Sequence, residues 1–218
     1  MSSSPQGTGR GSVRLPLFPL KTVLFPGGRL GLKIFEQRYV AMAKSCLADE
    51  TPFGVCLITH GEEVAAPGAA GEAPEIATVG THATIQTWDM PQLGILHVTV
   101  HGGARFVVRS HRVAPDGLVV GDVSPLAAEP PAPLADAHRP LAELLELLVA
   151  RIGAPHFPEE RAFDDASWVG YRLAELLPLP LSVKQSMLEI NDPQIRLAVM
   201  QRYVAEHGLL QPPRDGQL

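Results

Sequence analysis

Residues 15–39, LPLFPLKTVLFPGGRLGLKIFEQRY, constrain the fold more than any other stretch of the chain. Two short apolar runs, Leu15–Leu20 and Thr22–Phe25, are cut or closed by Pro16, Pro19 and Pro26. A proline nitrogen cannot donate to a β-ladder, so such runs form strands only at edges, strand starts or bulges. After Gly27-Gly28, Leu30, Leu32 and Ile34 alternate with Arg29, Gly31 and Lys33, the period of a half-buried strand. At Phe35 the period changes. Phe35, Tyr39, Met42 and Cys46 fall at i, i+4, i+7 and i+11, one face of a helix.

The middle of the chain reads as strands joined by turns. Phe53–Ile58 is a short apolar run, and Thr59–Pro74 has no periodicity and is expected to be a surface loop. Ala83, Ile85 and Thr87 alternate with Thr84, Gln86 and Trp88. Met90–Gly94 supplies a turn, and Leu96, Val98 and Val100 alternate with His97, Thr99 and His101. Phe106–Arg109 continues the pattern, and Pro115-Asp-Gly117 turns the chain back through Leu118–Val123. Short turns between successive strands imply an antiparallel meander that curls towards a barrel.

Prolines 125, 130, 131 and 133 stiffen a linker, and helical stripes follow. Leu141, Leu144, Leu145, Leu148 and Ile152 form the first, and Val169, Leu173, Leu176 and Leu177, entered near Asp164 or Asp165, form the second. Ser182 with Gln185 has the spacing of a capping box for a third helix. Asp192 as N-cap with Pro193 behind it opens a fourth, which stops at Gly208. The expected organisation is a tail (1–12), a β unit with one helix (13–125), a linker (126–133), a small helical bundle (134–208) and a second tail (209–218). The fold class is α+β.

Three segments carry a family resemblance: Phe53-Gly-Val-Cys-Leu-Ile58, the EIATVGT of Glu75–Thr81, and the G-x-x-R-F of Gly102–Phe106. Following the proline-broken opening in this order and spacing, they resemble the N-terminal, substrate-binding domain of Lon protease. The resemblance covers residues 13–125, and residues 134–208 are similar to the helical tail of stand-alone members. It implies a PUA-like β domain that selects polypeptide substrates and self-associates weakly.

The motor and protease of full-length Lon have no counterpart in these 218 residues. No G-x-x-x-x-G-K-[ST] loop is present to cradle ATP phosphates. Ser182 and Lys184 are the only close Ser/Lys pair in the tail, and the cap role accounts for the serine. His97 and His101 share a strand face near His82 and His111, but no Cys or carboxylate completes a zinc set at ligand spacing. Cys46 and Cys56 lie on apolar patterns, as buried thiols do, and two cysteines are too few for a disulfide framework. Glu62-Glu63 and Glu159-Glu160 read as solvated charge in polar loops. The expectation is a protein without catalytic residues, cofactor or metal.

Charge and hydropathy narrow the partners. Residues 13–125 carry 9 Lys/Arg against 10 Asp/Glu, and residues 126–218 carry 8 against 13. Neither half offers the basic patch that a phosphate backbone requires. No apolar run approaches the roughly 20 residues that span a bilayer. The first dozen residues lack the apolar core of a secretory signal, which leaves the cytoplasm as the expected compartment. Phe18, Phe25 and Trp88, off the main apolar alternation or beside prolines, either pack against the helical bundle or form the candidate peptide-binding surface. The expected partners are unfolded or client polypeptides, with an ATP-dependent protease as a downstream partner. The competing reading, from the PUA-like fold, is an RNA-binding or small-ligand-binding protein.

Overall fold

The computed structural model describes residues 11–61, 74–153 and 161–209. Most of both expected tails, most of the 59–74 loop with Glu62-Glu63, and the Glu159-Glu160 pair lie outside the described residues.

Among the described residues seven strands and five helices follow in order: β1 (Val13–Leu20), β2 (Arg29–Ile34), α1 (Gln37–Asp49), β3 (Phe53–His60), β4 (Glu75–Ile76), β5 (Val79–Gln92), β6 (Ile95–Val113), β7 (Val119–Pro125), α2 (Arg139–Ile152), α3 (Ala166–Leu176), α4 (Leu181–Glu189) and α5 (Pro193–Glu206). The sheet order is β1-β7-β6-β5-β3-β4, and a parallel β1–β3 pairing returns it to its start. Five strands therefore pair in a closed ring, as the expected curl required. Leu15, Leu17, Cys56, Phe106, Val108, Val119 and Val123 form the small cluster of core at its centre. Phe106 fills that space so tightly that a Cβ at Gly54 or Gly80 would stand 2.6 Å from its ring.

The prolines of β1 obey the edge rule in an unexpected way. Residues 13–17 pair with β7 and residues 17–20 with β3, the exchange falling at the fully buried Leu17. Pro16 and Pro19 thus each sit where β1 has one neighbour, and a missing donor on the other side breaks no ladder.

Thr22–Phe25 is not the second strand that its apolar run predicts. Val23 and Phe25 are buried with the helices, while Leu24 is buried with α1 and the sheet. A segment whose side chains feed two separate cores has no single face to lay on a sheet. Its end is held instead by Gly102: Gly27 N donates to Gly102 O at 2.7 Å, and Gly102 N donates to Gly28 O at 2.8 Å. A Cβ at position 102 would lie 2.1 Å from the Phe25 carbonyl oxygen, so only glycine fits.

In α1, Tyr39, Met42 and Cys46 are buried as the spacing predicts, but Phe35 precedes the helix and is 51% exposed. The expected Met90–Gly94 turn is tighter than read, with Leu93-Gly94 alone between the strands and Gly94 at φ +83°. Gly102–Phe106 lies inside the single long strand β6. Asp165 caps α3 by accepting from Trp168 N, and Asp192 caps α5 by accepting from Gln194 N at 2.8 Å. Ser182 is not a cap. Helix α4 already begins at Leu181 behind Pro180, and Gln185 turns inward, its amide donating to Val79 O on β5 at 3.0 Å. Tertiary contact has outbid the local capping box.

Candidate functional site

The groups that a catalytic reading would need are dispersed or inert. Ser182 is exposed on α4, while Lys184 Nζ donates to the Glu175 carbonyl at 2.9 Å. His97 pairs across the ladder with Lys33 and His101 with Arg29. His82 packs edge-on to Phe106 with ring centroids 4.9 Å apart, and burial holds its pKa below the usual histidine value. His111 is exposed. Both thiols are buried and free, and burial pushes the Cys56 pKa up to about 12, far from a reactive thiolate. Among the described residues no three His, Cys, Asp or Glu side chains are grouped to hold a metal ion.

The densest polar cluster lies between sheet and helices. Glu129, from the proline-rich linker, meets Arg105 of β6 at 3.0 Å and forms a paired contact with Arg196 of α5. Ser167 Oγ and Tyr171 OH of α3 also donate to its carboxylate. Arg105 donates to Leu188 O at 2.7 Å and Arg196 Nε to Met187 O at 2.9 Å, near the C-terminal end of α4, where the helix dipole favours cations. The Arg196 guanidinium also stacks 3.8 Å above the Tyr171 ring. Burial alone would raise the Glu129 pKa, but hydrogen bonds from Arg196, Ser167 and Tyr171 outweigh it and hold the carboxyl below its usual range. Its acceptor positions are taken up by the protein. This cluster is a structural staple.

An apolar groove lies beside β2. It has a volume of about 260 Å³ and runs between Phe18, Leu20 and Thr22 on one side and Leu30–Glu36 on the other, with Tyr39 lining it as well. Phe18 is buried and stacks on Tyr39 with ring centroids 4.2 Å apart. Arg38 lies over the Tyr39 ring, 4.7 Å from its centroid, while donating to Gly117 O at 2.8 Å and pairing with Glu36 at 2.7 Å. Burial drives the Tyr39 pKa up to about 12, further from physiological pH than a free phenol.

The three expected surface residues have separate fates. Phe25 is fully buried against Tyr171 and belongs to the core, so it offers no surface to a peptide. Phe18 lines the groove. Trp88 is 59% exposed, on a face that the alternation misassigns. Ile85 pairs with Val100, but a register shift follows, so that Trp88 pairs with Val98. Directly paired residues share a face, and Leu32 pairs with Val98 from the other side. Trp88 thus continues the apolar row Leu32–Val98 that alternation places opposite it. Leu93, at the tip of the same hairpin, is 94% exposed. Phe35 escapes the sequence reading because its helical spacing makes it resemble core.

A closed, mostly antiparallel sheet backed by helices and bearing an apolar groove is an architecture suited to binding. The comparisons give the family. The profile of the ATP-dependent protease La (LON) substrate-binding domain matches residues 14–206, and the chain belongs to this family. A Lon N-terminal domain protein from Xanthomonas campestris is similar in structure, with TM-score 0.70, 36% identity, and 88% of this chain and 98% of that one covered. The N-terminal domain of Mycobacterium avium complex Lon protease has the same fold, with TM-score 0.57, 17% identity, and 89% of this chain and all of that one (100%) covered. In sequence, the Lon protease of Anaeromyxobacter dehalogenans (strain 2CP-C) is 37% identical over 95 residues, 43% of this chain. The match spans 11% of that relative's length. Among the described residues no helix is long and apolar enough to cross a membrane.

Proposed function

We propose that this chain is a non-catalytic polypeptide-binding module that captures apolar segments of unfolded or protease-destined proteins, as an adaptor or a holdase. The observation that carries this reading is the apolar groove beside β2, with Phe35 exposed at its border and Trp88 and Leu93 exposed on the neighbouring hairpin. Exposed apolar surface of this kind marks a site of interaction. Membership of a substrate-binding domain family supports it. Residues 13–125 are proposed as the binding unit and 134–208 as its support, joined by 126–133. A cytoplasmic site of action is part of the proposal, supported by two buried thiols that remain unpaired.

The test is fluorescence anisotropy of the protein against a labelled, permanently unfolded polypeptide, beside a labelled structured RNA at low and moderate salt. The reading expects saturable polypeptide binding that survives salt, with RNA inert. Binding of RNA alone, collapsing as salt rises, would replace it with the nucleic-acid reading.

A further inference from the structure

The groove's lining has an arrangement that side-chain packing alone does not produce. Residues 30, 31, 32, 33, 34, 35 and 36 all border it in succession. Side chains along a strand alternate between opposite faces. One cavity can therefore touch five consecutive residues of β2 only if it lies against the strand's edge. The other edge of β2 is paired with β6 from Arg29↔His101 to Ile34↔Leu96, and among the described residues β2 has no second strand neighbour. From this we propose that the groove admits an extended segment of a client as an additional strand on β2, with residues alternately large apolar and acidic. This rests on the polypeptide-binding reading and specifies how binding occurs.

The alternation follows from the two faces of β2. On one face Leu30, Leu32 and Ile34 stand over Phe18 and Tyr39, where a client's apolar residues would be covered. On the other, Arg29 and Lys33 stand beside His101 and His97. Lys33 is exposed, and Glu36, the acid lining the groove, is tied to Arg38. Gly31, between the two cations, has nothing within 4 Å of where a Cβ would be, which leaves room for a client side chain on that face. Lysine on an open edge discourages indiscriminate pairing, so a partner strand must bring the opposite charge. A second copy docking by this edge would add two more cations to the same ladder, which favours an acidic client over self-pairing. Strand addition draws affinity from main-chain hydrogen bonds and specificity from alternate side-chain pockets.

The experiment uses the full chain and four labelled octapeptides, with the unfolded polypeptide as reference. One peptide alternates leucine with glutamate, one has the same composition in two blocks, one alternates leucine with lysine, and one is the acidic alternating peptide N-methylated at every backbone nitrogen. Amide exchange of residues 30–34 is followed by NMR. The acidic alternating peptide is expected to bind at least about tenfold tighter than the other three and to protect the β2 amides. Lys33→Glu is expected to abolish the preference for the acidic over the basic peptide while leaving the thermal melt unchanged. Equal binding of the N-methylated peptide, or no protection in β2, overturns strand addition. Capture of the unfolded polypeptide with no preference among the octapeptides also overturns it and leaves the polypeptide-binding reading intact. Absence of binding to all five ligands overturns both.

Discussion

The Glu129 junction and the β2 groove use opposite materials. At the junction, two arginines and a glutamate are withdrawn from water and satisfied by one another, by Ser167 and Tyr171, and by carbonyls of α4. At the groove, the half-buried Leu30 and Leu32 and the exposed Phe35 leave apolar surface open to solvent. Each arrangement is costly by itself: a buried charge loses its hydration, and an exposed apolar surface orders solvent. The junction recovers its cost inside the molecule. The groove recovers it only when something else arrives. A region whose interactions are complete serves stability, and one whose interactions are incomplete is available for binding.

Removing one partner at the junction tests this contrast most severely. Arg196→Ala leaves Glu129 with half its cationic support, and a broken buried pair costs about 3–5 kcal/mol. Equilibrium urea unfolding should show a loss of that order, and a loss below about 1 kcal/mol would mean the cluster holds little together. Gly102→Ala comes next, because the new methyl must displace the Phe25 carbonyl. Overpacking of this kind costs roughly 1–3 kcal/mol, and a melt equal to that of the parent chain would show that the 25–28 loop yields easily.

Acid should act on the junction with the same sign. The Glu129 carboxyl is held below its usual pKa in the folded chain, so its contribution is complete above the unfolded value. It is lost as pH falls through the folded one. His82, depressed by burial, follows the same rule beginning near the usual histidine value. Stability measured by unfolding should therefore fall as pH drops from 7, and Glu129→Gln should flatten the most acidic part of that curve. An unchanged acidic limb in this variant would assign it to other carboxylates.

Trp88→Ala reverses the pattern. An exposed tryptophan should leave stability within about 0.5 kcal/mol while weakening capture of unfolded polypeptide about tenfold or more. A large melting shift with binding intact would make Trp88 structural and undo the contrast. The smallest effect belongs to Ser182→Ala, expected within about 0.5 kcal/mol of the parent because the side chain caps nothing. A loss near 1 kcal/mol, typical of an N-cap, would restore the capping box that α4 lacks here.

Elements whose side chains answer to one neighbouring surface were open to inference from the sequence. Leu30, Leu32 and Ile34 announce β2, Tyr39, Met42 and Cys46 announce α1, and Asp192-Pro193 announces α5 to the residue. Thr22–Phe25 was misread because its side chains serve two cores, and Trp88 because one extra residue in β5 turns the rest of the strand over. The groove was harder still. Phe18 was singled out, but Phe35 resembled a helical core position, and no period marks the open edge of a strand.

By itself the sequence determined the α+β class, the order of its elements, most of its turns and its family resemblance. These follow from local backbone preferences and from periodicities of two and 3.6 residues, which neighbours along the chain carry. Only the tertiary structure decided which edge of β2 stays open, which face Trp88 takes, and that Arg105, Glu129 and Arg196 meet. Those depend on register and on contacts between residues far apart in the chain, 83 positions in the case of Arg105 and Leu188, and a local pattern contains no information about a partner so distant.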